Sequence, residues 1–183
     1  MARTRPKAVN AFSSAFGDGS GYVCDGDTIS CERAGITYVA RIVRDDSGDR
    51  PDERDDGFWP SLDPKSAGYI GGKSEATLQR RTARAQAVLE AWARDEWWYV
   101  GVVIAAYYET GSAEVGRIEL DDHAASLWGI ECNYPASRRN PNPNIYLTEV
   151  ANELLLEAED RAKQVLAAII DRAVMHREGP MAS

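Results

Sequence analysis

The sequence predicts an α+β fold: an antiparallel sheet of about four strands with two main helices on one face, in the order strand, strand, helix, strand, strand, helix. Three observations carry this. Short runs of alternating apolar and polar residues recur, and they come in pairs joined by glycine turns. Two longer segments place apolar residues at helical spacing. Helices that stand between strand pairs, rather than between single strands, point to hairpins and not to parallel crossovers.

Residues 1 to about 20 read as a flexible N-terminal arm, because "SSAFGDGSGY" is rich in Gly and Ser and has no periodicity. This leaves 21–183 as a single α+β domain. "TISCERAGITYVARIVRDD" then reads as strand, tight turn at Ala34-Gly35, strand, with Ile36, Tyr38, Ala40 and Ile42 sharing one face. "DDSGDRPDERDD" (45–56) follows as an irregular acidic loop, since Asp, Gly and Pro oppose regular structure. Ser74 is expected to cap a helix that runs to about Glu96, with Leu78, Ala85, Val88, Leu89 and Trp92 as its buried stripe. A strand from Trp98 to Tyr108 puts Trp98, Val100, Val102, Ile104 and Ala106 on one face and Tyr99, Gly101, Val103, Ala105 and Tyr107 on the other. "ETGSAEVG" turns the chain and "AASLWGIEC" gives a fourth strand, with "DDH" just before it in a polar turn. The last helix starts near Asn144 and stops at Gly179-Pro180.

The chain has 183 residues, 44% of them apolar, which is a globular composition that needs neither metal nor disulfide to hold a core. The longest apolar run, "WWYVGVVIAAYY", is shorter than the roughly 18 residues of a membrane span. The basic start lacks an apolar signal stretch, so a cytoplasmic location is expected. The net charge of −8, from 29 acids against 21 bases, opposes nucleic-acid binding. Three cysteines are an odd, low count for a disulfide scaffold.

The most suggestive motif is "AGYIGGKS" (67–74), which ends like a phosphate-binding loop. Such a loop needs Gly five places before the Gly of Gly-Lys-Ser, and Ala67 stands there. The segment before it is a proline loop rather than a buried strand. A glycine turn followed by a helix cap is the reading adopted. The acidic loop puts Gly48 at position four, where a calcium loop needs Gly at six. Cys24, Cys31, His123 and Cys132 lack the tight pair spacing of structural zinc. No catalytic residue, metal or cofactor is assigned.

Two acidic groups are the candidate interaction residues: Asp45, Asp46, Asp49, Asp52, Glu53, Asp55 and Asp56 in the loop, and Glu149, Glu153 and Glu157 on the last helix. Val165, Leu166, Ile169, Ile170 and Val174 make the far end of that helix apolar on two sides. At about 1.5 Å per residue the helix is about 50 Å long and overshoots a domain of this size, so a homodimer is expected. An alternative assigns Lys73, Arg80, Arg81 and Arg84 to an anion or to nucleic acid. A third reading is a small enzyme whose site the sequence does not reveal.

The segments "DEWWYVGVVI", "DDHAASLWGIE" and "YLTEVANELLLEA" resemble those of a family of small proteins carried by bacteriophages and prophages. In that family a W-Y-x-G-V strand, an S-L-W-G-I-E strand and an L-x-E-V-A-x-E-L helix recur. The resemblance spans roughly residues 29–158. It departs in "AAYYETGSAEV", where a polar, basic continuation of the strand is expected. What it implies is a non-enzymatic accessory role, with a host protein as the partner and inhibition of a host defence or nucleic-acid-binding system as its use. It transfers no active site.

Overall fold

A computed structural model describes residues 11–17, 21–47, 50–53, 65, 69, 71, 74–112, 116–138 and 140–177. Asp49, Asp55, Asp56, Lys73 and the Gly179-Pro180 stop lie outside the described residues. Among the described residues six elements follow in the expected order: β1 (Thr28–Arg33), β2 (Ile36–Arg44), α1 (Glu75–Ala93), β3 (Trp98–Glu109), β4 (Arg117–Cys132) and α2 (Ile145–Arg177). The strands form one antiparallel sheet in the order β1-β2-β3-β4.

The β1–β2 turn has φ of 52° at Ala34 and 75° at Gly35. Two positive φ values in a two-residue loop match the twist of the flanking strands. The register then lays Ile29, Ala40, Ile104 and Ala125 in one row across all four strands. Residues of this phase form a continuous apolar layer that also includes Tyr38, Ile42, Val100, Val102 and Ile130. α2 covers the layer with Leu147, Val150, Ala151, Leu155, Ala158 and Ala162, all buried. Ion pairs flank this contact on both sides, Arg33 with Glu159 and Arg161 with Asp121 (2.8 Å).

Three sequence expectations change. Residues 11–17 are not a flexible arm. Phe12 and Phe16 are buried in the main core. The Asn152 carboxamide on α2 accepts hydrogen bonds from the backbone N–H of Ala11 (2.8 Å) and Phe12 (3.3 Å), and the Thr148 hydroxyl accepts one from Phe16 N–H. The segment is irregular, so its order comes from these side chains and not from a period that a sequence could display.

The second change concerns α1. Its buried residues are Val88 and Ala91 alone, and they belong to a separate cluster with Trp97, against which Trp92, Tyr99 and Tyr134 pack. Trp98 points into the α2 layer, whereas Trp97 and Tyr99 take the alternate phase. α1 is therefore fastened on the side of the sheet away from α2, not beside it. The Trp97 indole N–H donates to the Val88 carbonyl (2.9 Å) and ties strand to helix. Third, β4 begins at Arg117, so Asp121, Asp122 and His123 lie in a strand and not in a turn. Register shifts near Ala106 let this charged run enter the sheet, and Arg161 neutralises Asp121.

Candidate functional site

Helical periodicity divides α2 into an inward and an outward face. With Leu147, Ala151, Leu155 and Ala158 turned to the sheet, Tyr146, Glu149, Glu153, Leu156, Glu157 and Asp160 must point the other way. All six are exposed, and Tyr146 and Leu156 are each 50% accessible although apolar. The three glutamates sit four residues apart, so they form a row about 12 Å long at about 1.5 Å per residue. Neither they nor Asp160 forms an ion pair or hydrogen bond with another described residue. The helix beneath them is held by the buried layer, so the carboxylates are displayed on a fixed scaffold.

The loop acids are organised differently. Of the seven expected there, Asp45, Asp46, Asp52 and Glu53 lie within the described residues. Arg44 pairs with Asp46 (3.8 Å) and with Asp95 (2.6 Å), while its guanidinium lies 5.4 Å over the Trp98 ring. Arg50 pairs with Asp52 and Glu53. Its hydrogen bonds hold the Asp52 carboxyl below its ordinary range. The Asp45 carboxylate accepts from Ser47 N–H. These charges are met from within the chain. Among the described residues, no ion pair or hydrogen bond links the loop acids to the α2 row.

The far end of α2 carries the five residues expected to self-associate. Val165 and Leu166 are half-buried against the core. Ile169, Ile170 and Val174 are exposed, with Ile170 at 53%, and Met175 adds a further 73%. No residue of α2 beyond Ala162 is buried among those described.

On α1, Ser74 has the extended backbone of an N-cap, and its hydroxyl accepts from Thr77 N–H (3.3 Å). The arginines of the alternative reading diverge. Arg80 turns back on the Ala76 carbonyl and the Thr77 hydroxyl, and Arg81 donates to the Gly71 carbonyl (2.6 Å). Arg84 faces the loop after β4.

Cys24 is exposed, Cys31 half-buried and Cys132 buried. Burial pushes the Cys132 thiol up to about 12 and raises that of Cys31 as well. Among the described residues no three metal-ligating side chains come together. His123 Nδ1 lies 3.3 Å from Asp122. Asp121 is committed to Arg161, whose hydrogen bond lowers its pKa. No described helix is long and apolar enough to cross a membrane.

One feature of the second sheet face escaped sequence reasoning. Gly129 (φ 75°) lies in the irregular stretch of β4 opposite Gly101. There the Trp128 ring covers Gly101 so closely that a Cβ on Gly101 would meet it at 2.5 Å. The glycine in W-Y-V-G-V is the signal that could have found this, since Gly inside a strand marks close approach. No family model, no curated protein and no solved structure matches the chain.

Proposed function

We propose that the protein is a non-enzymatic binding protein and that the outward face of α2 is its recognition surface. The observation that carries this reading is the row of Glu149, Glu153 and Glu157 with Asp160, unmatched by any described cation and interleaved with Tyr146 and Leu156. A partner with Lys or Arg at complementary spacing gains charge-assisted hydrogen bonds from the row and apolar contact from the two anchors. Of the described loop acids, Asp46, Asp52 and Glu53 play a lesser part, because Arg44 and Arg50 already engage them. Given the resemblance to phage-borne proteins, the partner is a protein of a bacterial host cytoplasm, and a surface of this charge occupies a site meant for nucleic acid. Two copies of the chain join through Ile169, Ile170 and Val174, which leave an apolar stripe beyond the sheet that association covers.

The test is affinity capture from bacterial lysate with the wild type and with Glu149→Gln/Glu153→Gln/Glu157→Gln, which keeps helix propensity and removes the charge. A protein retained by the wild type, lost with the triple variant and released by salt supports the reading. Equal capture by both chains overturns it. Light scattering of the wild type and of Ile170→Glu tests self-association. A monomer mass for both at micromolar concentration would remove the dimer.

A further inference from the structure

The last turns of α1 and the loop after β4 enclose a groove of about 780 Å³. Its floor is apolar: Val88 and Ala91 from the helix, Pro135 and Ala136 from the loop. Guanidinium groups stand on both walls. Arg84 rises from α1 and Arg138 from the loop, and neither has an ion-pair or hydrogen-bond partner among the described residues. Arg94 and Glu96 also line the groove and engage each other (2.7 Å). Both walls are braced. Trp97 holds α1 through the Val88 carbonyl, and its ring meets that of Tyr134 at 5.0 Å. The loop closes on itself through mutual backbone hydrogen bonds between Ser137 and Asn140. In a chain of net charge −8, two unmatched guanidiniums facing one apolar trough form a pattern that composition does not supply by chance of excess.

We infer that this groove binds an acidic peptide segment of a partner protein, with carboxylates on Arg84 and Arg138 and an aliphatic side chain on the floor between them. The volume falls in the range of ligand sites, and the lining is divided between apolar and polar groups. Guanidinium matches carboxylate geometry in two-point contact. A phosphate dianion suits the groove less well. The C-terminal end of the α1 dipole and Glu96 oppose any anion there, so the preference for a peptide comes from the apolar floor, which an aliphatic side chain fills and phosphate does not. The N–H groups that would receive phosphate lie at the opposite end of the helix, near Ser74. This inference is independent of the acidic face of α2 and concerns a partner of the opposite charge.

Fluorescence anisotropy of the full chain with a labelled Glu-Glu-Leu-Glu-Glu-Leu peptide at low ionic strength tests it. Saturable binding is expected, weakened about tenfold by Arg84→Gln or by Arg138→Gln, as loss of one charge-assisted contact implies. Arg41→Gln, an exposed arginine on β2, should leave binding unchanged, as should the triple glutamine variant of α2. All these positions are on the surface, so native circular dichroism is expected throughout and serves as the fold control. Absence of saturable binding, equal binding by the Arg84→Gln/Arg138→Gln double variant, or displacement of the peptide by inorganic phosphate at equal concentration would each overturn the assignment.

Discussion

α2 buries six residues in the main core and is pinned to the sheet by Arg33–Glu159 and Arg161–Asp121. α1 buries two, and it is held near its end by a single indole and two tyrosine rings. Both helices looked alike in sequence, each with an apolar stripe and polar flanks. The difference shows that a helix's place in a fold depends on which phase of the neighbouring strand it meets. The phase that carries Trp98, Val100 and Val102 is apolar along the whole sheet and accepts a helix lengthwise. The phase that carries Tyr99 offers α1 a foothold at one end. The first helix therefore belongs to a groove, and the second to the core.

The largest effect should come from truncating each helix where it is most buried. Leu155→Ala on α2 is expected to cost about 2–5 kcal/mol of global stability, because it opens a cavity in the main core. Val88→Ala on α1 removes two methyl groups, about 1.5 kcal/mol at about 0.8 each. That cost should fall on α1 amide exchange more than on the urea midpoint. Equal midpoint shifts for the two variants would erase the distinction between the helices.

A smaller change sharpens the picture of what α2 holds. Asn152→Ala leaves the N–H groups of Ala11 and Phe12 without their acceptor, at a cost of about 1–3 kcal/mol. Limited proteolysis should then cut within residues 11–17 before any global unfolding. Resistance equal to the wild type would mean that burial of Phe12 and Phe16, with the Thr148 bond, secures the segment without Asn152.

The smallest effect is electrostatic. Arg161 draws the Asp121 carboxyl below its usual range, so the folded state favours the charged form. The contribution is present above the unfolded carboxylate pKa and is lost as pH falls through the lowered folded value. Because Arg161 is largely exposed, about 0.2–1 kcal/mol is expected. Asp121→Asn should thus lower the unfolding midpoint at neutral pH and match the wild type at a pH below the folded value. A difference that persists in acid would show that Asp121 acts through packing.

Much of the fold was legible in residues. Alternation gave the faces of β2 and β3, Ala34-Gly35 marked the hairpin, and Ser74 marked the start of α1. What was not legible has physical reasons. Phe12 and Phe16 lie in a segment with no repeating backbone geometry, so no period announced them. Two of the chain's three phenylalanines in one supposed arm were nevertheless a sign of burial. Periodicity names the apolar side of α1 but not the side of the sheet it meets. The acidic candidates were visible as charge, yet only the contacts separate loop acids engaged by Arg44 and Arg50 from the unmatched row on α2. Arg84 and Arg138 are brought together by folding alone.

The hydrogen bond from Ala11 to Asn152 closes 141 residues of chain. At about 5–20 residues per second, synthesis needs roughly 7–30 s to pass from one partner to the other. For that time Phe12 and Phe16 have left the ribosome with no α2 to receive them, exposed to whatever binds nascent apolar chain. Residues 11–17 are made well before the side chains that hold them, and their seating on Asn152 waits for α2.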